Sequence, residues 1–486
     1  MRLRSLLRDA AVQGASVQPG SGGDDPDITG VTMDSRSAGP GTLFACVAGA
    51  SADGHDFAAT AVALGASALI VERPLDVIAT QVLVPSTRRV LGPISDAFFG
   101  HPSRHLRVTG VTGTNGKTTT VALLAGIFEA HGWVTGTVGT LTQVRTTPEA
   151  PELQGRLAQL RDAGTEAVAM EVSSHALAQH RTDAIRFAAG VLTNVTQDHL
   201  DFHQTMEAYF EAKASLFAPE RIGVAVVNRD DPWGERLLER LRGASVETVT
   251  YGRNDAEIAK LSPSGSRFRW DGQDVHLHLA GRFNISNALG AAACARALGI
   301  PSPTVAAGLA SVRGVPGRFQ SIDAGQPFTV VVDYAHTPDG LAVALDAARE
   351  VTSGRLLVVF GAGGDRDREK RPLMGEVVAA RADLAIVTSD NPRHEDPQVI
   401  IDQVLAGAGA STRARLTDDA DRRSAVSTAI ALAEAGDVVV IAGKGHESGQ
   451  DFGDRVEPFD DAAVARDALE RVLRSRAGRG NGSPPG

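Results

Sequence analysis

The residues best suited to chemistry lie between Leu106 and Gly132. An apolar run at the start of this stretch predicts a buried strand, and the apolar positions from Thr119 to His131 predict a helix. The residues between them are Gly113, Thr114, Asn115, Gly116, Lys117 and Thr118. Glycines in such a turn let backbone N–H groups close around phosphate oxygens at the positive end of the helix. We therefore expect Lys117 to reach the terminal phosphates of a nucleotide and the Thr118 hydroxyl to bind Mg²⁺.

This motif departs from the strict G-x-x-x-x-G-K-[ST] spacing, because position 111 is a valine and the first glycine of the core is Gly113. The alternative is an ordinary glycine turn between a strand and a helix. Because the Lys-Thr pair falls where the helix should begin, nucleotide binding is the better interpretation. The motif alone does not separate a kinase, a GTPase and a ligase.

Polar clusters follow the next predicted strands of this region. Short apolar strands alternate with helical patterns, which indicates a mostly parallel sheet with ligands at the carboxyl ends of its strands. Carboxylate or imidazole groups there can ligate Mg²⁺ beside phosphates, whereas a lone histidine at a strand end is more often structural. Two clusters after two strands favour the functional interpretation. The clusters span residues 170–175, 193–201 and 228–231.

Two helical stretches of the same region carry polar residues among apolar ones. Lys213 lies in the run Met206 to Phe217, beside Tyr209 and Phe210. A surface lysine that reaches back to solvent is one interpretation. The other is an amine of depressed pKa that reacts as a nucleophile, because its neighbours are apolar. Asn284 and Asn287 are three residues apart on a second helix and share a face.

The elements that position these residues predict an α/β protein of several domains. Residues 28–95 form a small α/β unit, in which Asp34, Ser35 and Arg36 could hold an anion or a sugar hydroxyl, or form a capped turn. After the turn-rich link at residues 315–319, four more strand–loop–helix units end in polar groups and predict a second ligand-binding sheet. Its glycine turn at residues 361–364 lacks the dinucleotide fingerprint. Residues 475–486 are rich in Gly, Arg, Ser and Pro and predict a disordered tail.

Bulk properties limit the class of protein. The chain has 486 residues, a net charge of −10 and two cysteines, Cys46 and Cys294, far apart in sequence. The negative charge argues against nucleic-acid binding, and the cysteine spacing gives neither a disulfide framework nor a zinc site. No segment approaches a membrane span and no signal peptide is evident. We expect a soluble, cytoplasmic protein without membrane insertion.

Taken together, these motifs closely resemble those of the Mur ligases of bacterial cell-wall synthesis, and within that family the members that add the third residue of the peptide. The matching motifs occur in family order over nearly the whole chain. They are Asp34–Arg36, Gly113–Thr118, Thr146–Glu149, Glu171–His175, Asp198–Asp201, Gly317–Arg318, Asp333–His336, Gly364–Asp367, Asp390–Arg393 and Gly443–Glu447.

The resemblance implies three domains: an N-terminal UDP-binding α/β domain (1–100), a central P-loop ATPase with a mostly parallel sheet (101–316) and a C-terminal Rossmann-like, amino-acid-binding domain (317–474). It implies that ATP contacts the residues at 113–118 and, in addition, Asn284, Asn287, Arg318 and Asp333. By the same resemblance, Ser35, Thr146, Thr147, Ser173, Gln179 and Arg181 hold UDP-MurNAc-L-Ala-D-Glu. Lys117, Glu171, His199 and Lys213 are the implied catalytic residues. The implied Mg²⁺ ligands are Thr118, Glu171, His199 and Lys213, the last as a carbamate.

The resemblance also implies an ATP-dependent ligase that passes through an acyl phosphate, with meso-diaminopimelate as the incoming amine. Arg393 offers a planar fork for a carboxylate, which diaminopimelate has at its far end and lysine lacks. Asp390 and Glu447 suit the distal ammonium. The remaining implied contacts are Arg366, Asn391 and Gly443.

Two departures from the family pattern and several rivals accompany this interpretation. The segment at residues 139–146 is short, which predicts a differently built loop, and Gly317-Arg-Phe-Gln320 replaces the commoner Gly-Arg-Met-Glu.

The rivals are the lysine-adding ligase, the D-Ala-D-Ala-adding ligase, folylpolyglutamate synthetase, a P-loop switch or kinase, and an inactive homologue. The 390–393 loop and the N-terminal domain argue against other ligases, and an intact catalytic set argues against an inactive one. We expect a monomer.

Overall fold

The computed structural model describes residues 1–20, 23, 25–49, 52–409 and 414–480. Three large sheets follow one another along the chain, and each is covered by helices on both faces. The predicted α/β fold of three domains is confirmed. The boundaries given above stay predictions.

The first sheet is small, with strand order β1-β5-β4-β3-β2. Strands β2 to β5 are parallel, and β1 runs antiparallel to β5 at one edge. Its strands are β1 Ser16–Gln18, β2 Gly30–Thr32, β3 Thr42–Ala45, β4 Ala68–Val71 and β5 Thr80–Leu83. Its helices are α1 Leu3–Asp9, α2 Ala58–Ala63 and α3 Thr87–Phe98.

The central sheet is fully parallel, with strand order β11-β10-β9-β6-β8-β7. Its strands are β6 Arg107–Thr112, β7 Thr135–Val138, β8 Ala167–Glu171, β9 Phe187–Leu192, β10 Ile222–Asn228 and β11 Glu247–Tyr251. The helices of this region are α4 Lys117–Ala130, α5 Ala150–Asp162, α6 Ser174–Ala178, α7 Leu200–His203, α8 Met206–Ala214, α9 Pro232–Leu241, α10 Arg282–Ala297 and α11 Ser302–Ser311. Because β6 lies between β8 and β9, the loops after these three strands are neighbours.

A separate antiparallel sheet of three strands precedes α10. Its strands are β12 Glu257–Ser262, β13 Gly265–Trp270 and β14 Gln273–Leu277. Phe268, Trp270, Val275 and Leu277 pack into the same core as α4 and α10, while the residues between them are polar or charged. This alternation is typical of a sheet with one buried face.

The third sheet has the strand order β15-β16-β20-β17-β18-β19, and only β15 is antiparallel to its neighbour. Its strands are β15 Gln320–Ser321, β16 Thr329–Asp333, β17 Leu356–Phe360, β18 Leu384–Val387, β19 Arg415–Asp418 and β20 Val438–Ala442, and a hairpin of β21 Gly449–Asp451 and β22 Val456–Pro458 follows. Its helices are α12 Pro338–Glu350, α13 Lys370–Arg381, α14 Pro397–Ala406, α15 Arg422–Leu432 and α16 Asp461–Gly480.

The structure differs from the predicted disordered tail at residues 475–480, where α16 continues to Gly480. Val464, Ala465, Ala468 and Leu469 pack this helix on the third sheet. Once a helix is held by such packing, each further residue adds one hydrogen bond at little cost, and Arg and Ala are good helix formers. Residues 481–486 lie outside the described part of the chain. Within the described part, no helix is long and apolar enough to cross a membrane.

Helices α4 and α11 pack so closely that a glycine is needed between them. A Cβ atom on Gly308 would overlap the backbone of Ile127. We predict that Gly308→Ala lowers the free energy of unfolding by about 1–3 kcal/mol, because a backbone clash is not relieved by rotating a side chain. Urea denaturation measures the loss. The control is Gly314→Ala, where a Cβ would meet no atom within 4 Å; equal stability of the two variants would contradict the prediction.

Candidate active site

The predicted phosphate loop is a tight turn between β6 and α4. Gly113 and Gly116 both have positive φ, at 149° and 87°. A Cβ on Gly113 would overlap the Thr193 hydroxyl, and one on Gly116 would overlap the side-chain oxygen of Asn287. Both positions therefore need glycine for conformation and for space.

The loop after β9 holds the phosphate loop in place. The Thr193 hydroxyl donates to the carbonyl of Asn115 at 2.6 Å, and the side-chain oxygen of Asn194 accepts from the backbone N–H of Asn115 at 3.0 Å. The backbone N–H of Thr114 donates to the Asn194 carbonyl at 2.8 Å. Asn194 was not among the predicted site residues, although it lies in a predicted cluster.

Lys117 begins α4 and folds back over the loop. Its amine donates to the carbonyls of Gly113 at 2.8 Å and Thr114 at 2.9 Å. Burial lowers the pKa of the Lys117 amine, while the nearby carboxylates of Glu171 and Asp198 oppose that shift. The amine thus lies above the loop where the phosphates of a nucleotide are expected.

Thr118 joins the phosphate loop to two other segments. Its hydroxyl donates to the Glu171 carboxylate at 3.0 Å and accepts from the Arg318 guanidinium at 3.0 Å. Glu171 is 2% exposed, and its second oxygen accepts from the backbone N–H of Thr140 at 2.8 Å. The Arg318 guanidinium also lies over the Tyr334 ring, 4.4 Å from its centroid. Residues predicted for ATP and for Mg²⁺ therefore touch one another.

Lys213 is buried beside the phosphate loop. Its side chain is 1% exposed, its amine donates to the Gly113 carbonyl at 2.8 Å, and the Tyr209 ring lies 4.3 Å away. Burial, reinforced by Lys117, lowers the pKa of the Lys213 amine well below its usual value. Of the two interpretations of this lysine, the structure excludes the surface one.

His199 lies at the end of the loop that follows β9, in a left-handed conformation with φ 54°. Burial lowers its pKa to about 4, against the opposing effect of Asp198. The Asp198 carboxylate lies 3.4 Å from the ring, and its own pKa is lowered, despite burial, by His199, His336 and Lys117. Among the described residues, no group of three or more His, Cys, Asp or Glu side chains is arranged to hold a metal ion.

Two cavities meet at these residues. The first, of about 250 Å³, is lined by the phosphate loop, Thr118, Glu171, Lys213, Asn287, Arg318 and Asp333. The second, of about 730 Å³, is lined by all six residues predicted for diaminopimelate: Arg366, Asp390, Asn391, Arg393, Gly443 and Glu447. Asp198, His199, Tyr334, His336 and Thr337 line both cavities. The central and C-terminal sheets thus contribute to one continuous cleft.

Of the remaining predicted ATP residues, Asn287 and Asp333 line the first cavity, and Asn284 lies behind Asn287. Asn284 donates to the Ala280 carbonyl at 2.8 Å and accepts from Asn287 at 3.2 Å, so the pair does share a face. The Asp333 carboxylate accepts from the backbone N–H groups of Phe319 at 2.7 Å and Ala335 at 2.8 Å. Burial raises the pKa of Asp333. Gln320, which replaces a glutamate in the family pattern, accepts from the N–H of Gly317 at 2.9 Å and closes the turn that carries Arg318.

Five residues predicted for the UDP-linked substrate form one group. Arg181 donates to the Thr147 carbonyl at 2.9 Å and to the Gln179 side chain at 2.5 Å. The Thr147 hydroxyl accepts from the Ser173 backbone N–H at 3.0 Å. Thr146 and Ser173 line the first cavity. This group borders the phosphate loop and the residues around it, together called the phosphate cradle, on the side of β8.

Ser35 lies apart from that group on the first sheet's domain and lines neither of the two cavities among the described residues. The Asp34 carboxylate caps the turn by accepting from the Arg36 backbone N–H at 3.0 Å and pairs with the Arg36 guanidinium at 2.8 Å. The capped turn is therefore present. A contact between Ser35 and a uridine nucleotide stays a prediction.

A buried lysine organises the floor of the second cavity. Lys444 is fully buried, and its amine donates to Asn391 at 2.8 Å and Glu447 at 3.0 Å and lies 3.7 Å from Asp390. Burial raises the pKa of Asp390, whereas Lys444 and Asn391 outweigh burial and lower the pKa of Glu447. A Cβ on Gly443 would lie 2.8 Å from the Asp390 carboxylate. Lys444 occurs in a quoted motif, but no role was predicted for it.

Comparisons with known proteins agree with this geometry. The description "Mur ligase family, catalytic domain" matches residues 27–98, "Mur ligase middle domain" matches 111–295 and "Mur ligase, glutamate ligase domain" matches 317–445. A relative from Syntrophomonas wolfei subsp. wolfei, named UDP-N-acetylmuramoyl-L-alanyl-D-glutamate--2,6-diaminopimelate ligase, is 44% identical over 98% of this chain and 100% of its own. One of the same name from Geobacillus kaustophilus is 46% identical over 92% of this chain and 96% of its own.

A solved structure of a ligase with that name is 34% identical, covers 91% of this chain and 95% of its own, and superposes with a TM-score of 0.65. The phosphate loop opens onto a second, polar cavity lined by loops of the third sheet, as expected of an enzyme that brings a nucleotide together with a further substrate. The chain belongs to the Mur ligase family.

Glu149 lines neither cavity but pairs with Arg181 of the group predicted for the UDP-linked substrate, a role that the sequence did not reveal. Its carboxylate is paired with Arg88 of the N-terminal domain at 2.7 Å and with Arg181 at 3.1 Å, and Arg145 lies 3.7 Å away. Arg88 and Arg181 come from segments far from Glu149 in sequence, and only Arg145, four residues before it, is a near neighbour.

We predict that Glu149→Ala lowers the free energy of unfolding by about 3 kcal/mol, because it leaves Arg88 and Arg181 without their counter-charge in a largely buried place. Urea denaturation is the measurement. Glu152→Ala, on the exposed side of the same helix, is the matched control and should cost far less. A similar loss in the two variants would show that the arginine cluster is not the cause.

Proposed function

We propose that the chain is an ATP-dependent ligase that joins meso-diaminopimelate to the D-Glu γ-carboxylate of UDP-N-acetylmuramoyl-L-alanyl-D-glutamate, in the synthesis of peptidoglycan precursors. The observation that carries the proposal is that Asp198 and His199 form a wall shared by two cavities. One cavity contains the phosphate loop, and the other is lined by arginine and carboxylate side chains. The names of the relatives support the same reaction. The proposal places the enzyme in the cytoplasm, where ATP and the UDP-linked precursor are made, and treats it as a monomer.

The chemistry follows from the weakness of a carboxylate as an electrophile. One oxygen of the γ-carboxylate attacks the terminal phosphorus of ATP, ADP leaves, and an acyl phosphate forms. The amine of the acceptor then attacks the acyl carbon, loses a proton, and releases phosphate. Lys117 balances the charge of the phosphoryl group, and Arg318 reaches the same place from the third domain. Positioning of the two substrates at one wall supplies the remainder of the catalysis.

The donor set of the first cavity fits Mg²⁺. Glu171 is a buried carboxylate in hydrogen-bond contact with the Thr118 hydroxyl, and hard oxygen donors of this kind suit that ion. Among the described residues, the Lys213 amine donates to the Gly113 carbonyl and to no carboxylate. Its lowered pKa favours the neutral form of the amine, which is the form that takes up CO₂. Thr118, Glu171, His199 and a carbamate on Lys213 would hold the ion, which would neutralise phosphate charge when bound.

The second cavity suits an amino acid that carries a charged pair at its far end. Arg366 and Arg393 supply positive charge for a carboxylate, and Glu447 supplies negative charge for an ammonium. Because Lys444 offsets one of the two carboxylates on the floor, the remaining negative charge matches a single ammonium. L-lysine has the distal ammonium but no distal carboxylate, so it would leave Arg366 and Arg393 without the group that they are expected to bind, which is unfavourable.

The decisive measurement is phosphate release from ATP in the presence of UDP-MurNAc-L-Ala-D-Glu, with meso-diaminopimelate, L-lysine or no amine. We expect release with diaminopimelate alone. Arg393→Ala should raise the KM for diaminopimelate by about 10- to 100-fold, the worth of a hydrogen bond to a charged group. Release with lysine would refute the assignment of the acceptor and leave the ligase. No release that depends on the UDP-linked substrate would refute the ligase itself.

The carbamate on Lys213 has its own test. We predict that Lys213→Ala lowers kcat by about 10²-fold or more, and that acetate or propionate restores part of it, because a short carboxylate can occupy the vacated space. Lys260→Ala, on the exposed β12 strand, should show neither effect. If a folded Lys213→Ala variant is not restored by any short carboxylate, or keeps full activity, the carbamate has no role.

A further inference from the structure

The two arginines of the second cavity lie on different loops that are held face to face. Arg366 follows β17 and Arg393 follows β18. A Cβ on Gly363 would lie 3.1 Å from the Arg393 guanidinium and 3.7 Å from Cγ of Arg366, so both arginines pack against that glycine. The distance between the two positive charges therefore depends on how the two loops are fixed.

Direct bonds between the loops are made at their tips. The backbone N–H of Gly364 donates to the Asn391 carbonyl at 2.9 Å, and the Arg393 guanidinium donates to the Gly364 carbonyl at 2.6 Å. Asp365 and Arg393 each have a φ of 51°, a left-handed conformation that costs energy for a residue other than glycine. Such conformations persist only where the surroundings hold them.

The ion pair between Arg371 and Glu395 supplies that support. Arg371, at the start of α13, is fully buried and donates to both oxygens of Glu395 at 2.8 and 3.0 Å. The same guanidinium donates to the Gly363 carbonyl at 3.1 Å and to the Gln403 side chain on α14 at 2.7 Å. One side chain thus binds the first loop, the second loop and a helix.

Glu395 completes the connection from the second loop. Its carboxylate accepts from the backbone N–H of Asp365 at 2.6 Å, which is the residue of the first loop with a left-handed backbone. Arg371 holds the pKa of Glu395 at about 2, so the carboxylate is charged at any pH at which the protein would be used. Neither Glu395 nor Arg371 lines the cavity.

We propose that Glu395 and Arg371 are positioning residues that set the separation of Arg366 and Arg393, and thereby the selectivity of the second cavity for an acceptor with a distal carboxylate. This inference rests on the proposed function. The pair does not touch the acceptor, and it acts through the two loops that it binds. Loosening it changes where the two positive charges stand and leaves the phosphate cradle, on another sheet, as it was.

The test compares Glu395→Ala and Glu395→Gln with the wild-type enzyme in the phosphate-release assay. We expect the KM for diaminopimelate to rise by about 10- to 100-fold in Glu395→Ala and less in Glu395→Gln, which keeps an oxygen for Asp365. The KM values for ATP and for the UDP-linked substrate should stay within about twofold, as should kcat at saturating diaminopimelate. The preference for diaminopimelate over L-lysine should fall.

Two variants serve as matched controls. Arg368 contacts the same Glu395 carboxylate from solvent at 3.1 Å and is 67% exposed, so Arg368→Ala should leave the KM for diaminopimelate unchanged. Asp437 pairs with Arg355 at 2.7 Å at the opposite end of the same sheet, so Asp437→Asn reports the effect of a lost ion pair on stability alone. Thermal unfolding of each variant accompanies the kinetics, and if Glu395→Ala does not fold, Glu395→Gln decides.

The outcomes separate the inference from the function on which it rests. A folded Glu395 variant with an unchanged KM for diaminopimelate would overturn the inference while the wild-type activity upholds the ligase. An equal rise in the KM for all three substrates would also overturn it, if Asp437→Asn shows the same rise at the same loss of stability. An inactive wild-type enzyme would overturn the proposed function and the inference together.

Discussion

The architecture depends on one constraint: two parallel sheets must present the carboxyl ends of their strands to the same cleft. Most polar loops of the candidate site follow such a strand end. Arg318 spans the junction, since it leaves the turn before β15, lies over Tyr334 of the third domain and reaches Thr118 of the phosphate cradle. Asp333 fixes that turn by accepting from the Phe319 backbone N–H. Without this approach of the two edges, each cavity would lose part of its lining.

Buried charged side chains fix the geometry of the site. Lys444, Arg371 and Arg422 are all fully buried, and each bonds to more than one segment. Arg422, for example, pairs with Asp461 of α16 and also donates to the Ala442 carbonyl at the end of β20. Desolvation makes such groups costly unless all their hydrogen bonds are made, so they tolerate few alternative arrangements. That intolerance is what specifies the loops that surround the cavities.

Much of the fold was predictable from local sequence patterns. The strands at 356–360 and 384–387 are continuous apolar runs between turn residues, and such runs leave little choice of structure. The polar strand ends were evident for the same reason. Long-range relations were not predictable. Arg88 and Arg181 reach Glu149 from distant segments, and the role of Lys444 depends on a loop 53 residues earlier. The alternating strands at 257–277 and the extension of α16 were also missed, since neither carries a motif and both depend on packing against other elements.

The six residues expected to contact the acceptor all belong to the third sheet's domain, whereas the cradle and the group around Arg181 belong to the central one. The proposed function therefore assigns the choice of the incoming amine to one domain, whereas the ATP site draws on both, because Arg318 reaches Thr118 from the third domain. On that proposal, substitutions in the loops of the third sheet change the acceptor amino acid while the phosphate loop of the central sheet stays the same. The peptide composition of a cell wall is then a trait that varies while the phosphate chemistry of the ligase stays the same.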